Sequence, residues 1–334
     1  MGYPDRFPHF ASAGFYRQAR NLTLSTLGIG SYLGEMTDVA DHAYTAAVNT
    51  ALDNGINLID TSLNYRHQRS ERAIGAALRG RARDEIVICT KAGFLVPDAV
   101  PPHLHGHDVV GRMHCMTPAF LEDQLNRSLN NLGVSTVDVF YLHNPETQLR
   151  FISQEEFDKR IRVAFERLEG LVQSGRIRFY GTATWDGYRQ NGAPGSLSLY
   201  RMAAIAEEVA GSAHRFRFVQ LPFNMGMSQA YTQRAETRDD QRISVLQAAE
   251  DLGITVIASA TLLQTKLIGN QPPPLKEYFG MDDDALRAIQ FTRSAPGITA
   301  ALVGMGNPAH VTANLRIAAQ PPMEKERFAA LYGG

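Results

Sequence analysis

Val137-Asp-Val-Phe-Tyr-Leu142 is followed by His143-Asn-Pro145, by Ile161, Phe165, Leu168 and Val172 at helical spacing, and then by Gly175 and Ile177-Arg-Phe-Tyr180. The first and last runs are short, apolar and β-branched or aromatic, as strands buried on both faces are. Between them one apolar stripe recurs every three to four residues, as an amphipathic helix requires. Gly175 closes the helical segment, as a glycine beyond a helix C-terminus does. The stretch reads as strand, helix, strand, a unit whose crossover imposes parallel pairing and a right-handed turn.

Working outward, the unit repeats. Leu24-Ser-Thr-Leu-Gly-Ile29, Asn57-Leu-Ile-Asp60, Ile86-Val-Ile-Cys89, Phe218-Val-Gln-Leu221, Thr255-Val-Ile-Ala258 and Ala300-Ala-Leu-Val303 bring the strands to eight. Leu121, Leu125, Leu129 and Leu132 form another helical stripe, entered by Thr117-Pro118 as N-cap and first helical position and closed by Gly133. Gly253 closes a further periodic segment. A doubly wound open sheet and a closed eight-stranded barrel both fit such alternation. The count of eight, and the lack of Gly-x-Gly-x-x-Gly after the first strand, favour an α/β fold of (β/α)8 barrel type. No Ser/Gly/Pro linker divides the chain, so residues 1–334 are expected to form one domain. Residues 1–21 follow neither period and are expected to be a short flap on the barrel; a C-terminal helix is expected over 322–332.

Composition narrows the function classes. The chain has 334 residues, 44% of them hydrophobic, and a net charge of -1. Such a chain can bury a large core, and it has no basic face for nucleic acid or an anionic membrane. No apolar run reaches membrane-spanning length, and the first twenty residues lack a secretory apolar segment. Two cysteines, Cys89 and Cys115, make no disulfide framework. A cytoplasmic protein acting on a small molecule is expected, with its oligomeric state open.

Residues at the C-terminal ends of barrel strands face the active site. Asp60 ends strand two, Tyr65 follows in the loop, Lys91 ends strand three and His143 ends strand four. Each alone has a bland reading: a strand-end cap, a loop anchor, a solvated ammonium, a turn histidine. Together they bring complementary titratable groups to one rim. A lysine ammonium beside a phenol favours the phenolate and should lower a pKa that is ordinarily about 10. An aspartate beside the lysine holds it charged and in place. The phenol can then exchange a proton with a carbonyl oxygen, and the imidazole can hydrogen-bond the same oxygen.

Ile59-Asp60-Thr-Ser-Leu-Asn-Tyr65, with Ser70-Glu71-Arg-Ala-Ile-Gly75 after it, resembles the signature of the aldo-keto reductase family. Thr90-Lys91 and Leu142-His143-Asn-Pro145 are similar to that family's lysine and histidine segments, and the likeness runs from about Leu27 to Ala318. The resemblance implies Asp60, Tyr65, Lys91 and His143 as catalytic residues. It implies reduction of an aldehyde or ketone to the alcohol, or the reverse, with NADPH or else NADH. It also implies cofactor contacts from Gly30, Ser31, Tyr32, Thr184, Gln220, Ser259, Leu262, Gln264, Gly304, Met305, Gly306, His310 and Asn314. Tyr32, Asn144 and Trp185 are expected to meet the substrate, a small carbonyl or sugar-like compound. Trp185 is the only tryptophan, and Tyr188 follows it.

The chain departs from the family at the cofactor. Ala183-Thr184 stands where a Ser-Asn pair is usual, and Ser259 where an aromatic usually meets the nicotinamide. Gly304 and His310 occupy positions that often carry lysine and arginine for the 2′-phosphate, which weakens charge-assisted contact there. A second departure is the run His103, His105, His107 and His114 beside Cys115. It suggests metal ligands, but it has no second cluster, and a loop shaping the pocket rim is the preferred reading over a metal site. Three functions compete: a reductase, a non-catalytic cofactor-sensing subunit with the same barrel, and a metal-dependent hydrolase using the histidine loop. The intact set of four favours the reductase.

Overall fold

The computed structural model describes residues 2–102, 104–189 and 192–333. Eight parallel strands close into a barrel in sequence order. They are β1 (Leu27–Gly30), β2 (Leu58–Asp60), β3 (Val87–Ala92), β4 (Val137–His143), β5 (Ile177–Ala183), β6 (Phe216–Pro222), β7 (Thr255–Ser259) and β8 (Ile298–Gly304). The principal helices between and after them are α1 (Asp38–Asp53), α2 (Arg69–Leu78), α3 (Pro118–Leu132), α4 (Gln154–Gln173), α5 (Leu199–Ala210), α6 (Val245–Asp251), α7 (Asp284–Ser294) and α8 (Pro308–Leu315). Among the described residues no helix is long and apolar enough to cross a membrane.

Strand periodicity explains where the polar groups come to lie. Alternate residues point into the barrel. Leu58, Val87, Cys89, Val139, Tyr141, Phe179, Phe218, Ile257, Ala300 and Leu302 form one buried cluster, the barrel interior. Continuing the same parity towards the strand ends gives Asp60, Lys91, His143, Gln220, Ser259 and Gly304. Near the C-terminal end of six strands an inward position is thus polar or a glycine, above an apolar interior. The other parity packs against the helices in a second, larger cluster that includes Ile88, Phe140, Tyr180 and Val219.

Three elements differ from the sequence expectation. Leu24–Ile29 is not one strand: it breaks at Thr26 into Leu22–Ser25 and β1. The former pairs antiparallel with Tyr16–Ala19. Asn57, expected in β2, uses its side chain at the break, accepting from Ser25 N at 2.8 Å and donating to Thr23 O at 2.8 Å. The residues expected as a flap instead include this hairpin, which closes the N-terminal mouth of the barrel. Arg20 reaches Gly253 O, Arg17 reaches Ile298 O, and Phe15 is fully buried. The C-terminal helix is shorter than expected, Lys325–Ala330, and is held by buried Phe328 against Phe291 and Tyr231. Thr117 and Pro118 occupy the N-cap and first helical position of α3, but the Thr117 hydroxyl lies 3.4 Å from Cys115 Sγ and makes no cap bond. Gly75 is required by packing: a Cβ there would lie 2.3 Å from Asn131 O, where α2 meets the end of α3.

Candidate active site

The inward ends of β2 and β3 build the centre. Lys91 has no exposed side-chain surface, and its three protons are all engaged. Nζ donates to Asp60 Oδ2 at 2.7 Å, Thr61 O at 2.8 Å and Tyr65 Oη at 3.3 Å. Asp60 Oδ1 accepts from Gln220 Nε2 at 2.7 Å, so both carboxylate oxygens are satisfied. The expected neighbours therefore do converge, and Gln220 joins them through Asp60.

Tyr65 departs from the expected electrostatics. Burial raises its pKa and outweighs the opposing pull of Lys91, so the phenol stays neutral at ordinary pH. Lys91 goes the other way. Burial would lower its pKa, but Asp60 and Tyr65 hold the ammonium above its ordinary value. The pair at rest is a neutral phenol touching a cation.

Tyr65 is held by its loop. Arg66, His67 and Gln68 all adopt left-handed backbone, with φ of 49°, 49° and 70°. Each such non-glycine residue costs about 1 kcal/mol or more and persists only where contacts enforce it. Arg66 supplies those contacts: its buried guanidinium donates to Glu35 O and to Asp41 Oδ1 and lies over the Tyr44 ring.

His143 faces Tyr65 with ring centroids 5.8 Å apart, edge to face, and Phe94 packs on it at 5.0 Å. Its Nδ1 lies 3.2 Å from Ser62 Oγ. Burial, with smaller contributions from Lys91 and His114, holds its pKa well below the ordinary imidazole value, so the ring is neutral. The pH profile follows. With His143 already neutral, turnover between about pH 5.5 and 8 should show no limb near the ordinary imidazole value of about 6.5. A limb there that vanishes in His143→Gln would refute this assignment.

The histidine run is divided between two environments. His103 lies outside the described residues; His105 and His107 stack on each other at 5.4 Å on the surface. His114 is buried, with its pKa lowered to about 4, first by desolvation. Its Nε2 donates to His143 O at 2.7 Å, its Nδ1 accepts from Gln148 Nε2 at 3.2 Å, and Gln148 Oε1 accepts from Arg160 at 3.0 Å. His114 thus braces the backbone of His143. Among the described residues no group of three or more His, Cys, Asp or Glu side chains is placed to hold a metal ion.

These groups open on a cavity of about 510 Å³ at the C-terminal end of the barrel. Gly30, Ser31, Tyr32, Thr184, Gln220, Ser259, Leu262, Gln264 and Gly304 line it, as do Asn144 and Trp185. Met305, Gly306, His310 and Asn314 do not. The Met305 side chain is in the core, Gly306 packs on Tyr44, and His310 is exposed on the first turns of α8. The cavity wall also carries Leu33, Asn64, Phe94 and Thr261, for which strand parity gives no signal because they sit in loops. Thr184 Oγ1 and Thr261 Oγ1 are buried on this wall without a protein partner, and a Cβ on Gly304 would meet only open space. Unpaired buried hydroxyls beside open backbone suit a ligand rich in amide, hydroxyl and phosphate groups.

A closed (β/α)8 barrel with a phenol, an ammonium and a neutral imidazole gathered at its C-terminal mouth defines a barrel oxidoreductase handling carbonyl oxygen. Comparison with known proteins places it further. The Aldo/keto reductase family profile matches residues 26–274, and the chain belongs to that family. It is 25% identical over 325 residues to D-threo-aldose 1-dehydrogenase from a Pseudomonas species, covering 90% of this chain and 91% of that one. It is 23% identical to a putative voltage-gated potassium channel subunit beta from Schizosaccharomyces pombe, covering 88% and 85%. The fold resembles the glycerol dehydrogenase of Gluconobacter oxydans (TM-score 0.69, 20% identity, 96% and 95% covered). It also resembles an aldo/keto reductase of Klebsiella pneumoniae solved with NADP and acetate (TM-score 0.66, 18% identity, 94% and 92% covered).

Proposed function

We propose that this oxidoreductase uses NADPH to interconvert a small carbonyl or sugar-like substrate and its alcohol, with Tyr65 as proton donor. The observation that carries this reading is the Lys91 ammonium, buried with all three protons committed, one of them to Tyr65 Oη. The chemistry that a nicotinamide cofactor would supply here is hydride donation to the carbonyl carbon. Tyr65 gives its proton to the carbonyl oxygen, and Lys91 stabilises the phenolate left behind. Asp60 keeps Lys91 in place. His143 orients the same oxygen; its Nδ1 lies beside Ser62 Oγ, and the tautomer that carries its proton on Nε2 is the one that donates to that oxygen. Thr184, Gln220, Ser259 and Gly304 are the groups that would hold the nicotinamide and its ribose; Trp185 and Asn144 would meet the substrate.

Consumption of NADPH with a panel of aldehydes and aldoses tests this. No turnover together with tight cofactor retention would instead favour the sensing role suggested by the channel-subunit relative. The position expected to meet a 2′-phosphate carries His310 rather than a permanent cation, and it is exposed on α8. His310→Arg is therefore expected to raise the NADPH/NADH ratio of kcat/KM by about tenfold, the effect of one charge-assisted contact. An unchanged ratio would mean that His310 lies away from the phosphate.

A further inference from the structure

Glu146 is a buried carboxylate that the proposed reaction does not use. Its Oε1 accepts from three consecutive backbone N–H groups: Trp185 at 2.8 Å, Asp186 at 3.1 Å and Gly187 at 3.3 Å. Oε2 is also buried and has no partner. Successive N–H groups converging on one oxygen form a concave anion nest. Here the anion is a side chain of the protein itself, delivered from a neighbouring loop.

The delivery is built into the chain just after β4. Asn144 adopts left-handed backbone at φ 47°, and its N–H donates to Ala183 O at 2.6 Å. This turns the segment after His143 towards the end of β5. Pro145 then starts a 3-10 helix, Pro145–Arg150, whose first turn carries Glu146 against the loop that follows β5. Both loops line the cavity, one through His143 and Asn144, the other through Thr184 and Trp185. The carboxylate ties them together.

What it holds is the residue best placed to be a wall. Trp185 is 40% exposed although apolar, and it lines the cavity. Its carbonyl accepts from Arg189 Nε at 2.9 Å, and Leu197 N donates to Gly187 O at 2.7 Å. Those bonds fix the far side of the loop. Only the Glu146 carboxylate gathers the N–H groups at Trp185 itself. Remove it and three backbone donors, one of them fully buried, lose their acceptor, so the loop must shift to regain water or other partners.

We propose that Glu146 is a specificity-determining positioning residue: its carboxylate sets Trp185 at the cavity wall and so decides how large a substrate the Tyr65–His143 centre prefers. This rests on the oxidoreductase reading of the same site. A residue that fixes a pocket wall changes discrimination between substrates by tens of fold at most, because the contacts involved are apolar. It leaves the proton donor where it was.

The chain's single tryptophan makes the test direct, since emission excited selectively in the indole band reports on Trp185 alone. Glu146→Leu keeps the shape and removes the acceptor; Glu146→Gln keeps one oxygen to accept. Acrylamide quenching should rise in the leucine variant and return close to wild type in the glutamine variant. With NADPH, the ratio of KM for benzaldehyde to KM for propanal should shift about tenfold in the leucine variant, with a much smaller change in kcat. In a Trp185→Ala background the Glu146→Leu substitution should add nothing to that ratio. Unchanged quenching overturns the proposal. So does altered quenching with an unaltered KM ratio, or an effect that persists without the indole. If Glu146→Leu does not fold, the glutamine variant carries the same readings with a smaller amplitude. Wild type that turns over no carbonyl at all would sink the reductase reading instead, and the quenching arm still decides whether Glu146 holds Trp185.

Discussion

Tyr65→Phe is expected to lower kcat for carbonyl reduction by about 10³-fold while changing NADPH affinity less than about twofold. The substitution keeps the ring, and with it the edge-to-face contacts to Tyr32 at 5.0 Å and His143 at 5.8 Å. It deletes one atom, Oη, the hydroxyl oxygen that accepts from Lys91 and carries the proton to be transferred. His143 cannot replace it, because a neutral imidazole with a depressed pKa is a far weaker acid than the imidazolium. The direction of the Tyr65 pKa adds a second readout. Burial raises it, so the phenol is protonated throughout the neutral range. Reduction needs the protonated form and should hold steady as pH rises through neutrality, declining only above the ordinary tyrosine value of about 10. Oxidation of the alcohol needs the phenolate and should climb over the same range. Stopped-flow measurement of both directions checks the pair of slopes. Near-normal turnover in the phenylalanine variant would remove Tyr65 from the mechanism.

The sequence carries the barrel because two periods alternate along it and because the polar residues fall at strand ends. Asp60, Lys91 and His143 extend the inward parity of Leu58, of Val87 and Cys89, and of Val139 and Tyr141, so their convergence follows from the period of a strand. Tyr65 follows less directly. It depends on a left-handed turn at Arg66, His67 and Gln68 that no glycine announces. Its pKa is less legible still: the sequence places a cation beside the phenol, but the degree of burial, which reverses the net effect, is a property of the packed site. The N-terminal hairpin was hidden for a related reason. Leu24 and Ile29 read as one apolar run, and the groups that interrupt it are the Ser25 hydroxyl and the amide of Asn57, far along the chain. Glu146 gave no signal at all, since a carboxylate after a proline reads as surface until the backbone it accepts from is known. His114 was visible only as part of a histidine run, and its actual contact is a backbone carbonyl.

Replacing Lys91 with methionine separates the two things the buried ammonium does. Asp60 is left with a side chain only 6% exposed, and its Oδ2 loses its partner while Oδ1 keeps Gln220. An unpaired buried carboxylate is costly, so Lys91→Met alone should destabilise the fold by about 3–5 kcal/mol. Adding Asp60→Asn removes the stranded charge, and most of that stability should return. Turnover should not return with it. Without the ammonium nothing stabilises the phenolate as Tyr65 releases its proton, and kcat should stay down by about 10²-fold or more in both variants. Denaturant unfolding read beside steady-state kinetics distinguishes the cases. If the double variant recovers stability and turnover together, Lys91 is a structural counter-ion for Asp60 and the proton chemistry of Tyr65 does not depend on it. If stability returns and turnover does not, the ammonium acts on the phenol, and the ion pair with Asp60 is the means of keeping a charge in a place where burial alone would expel it.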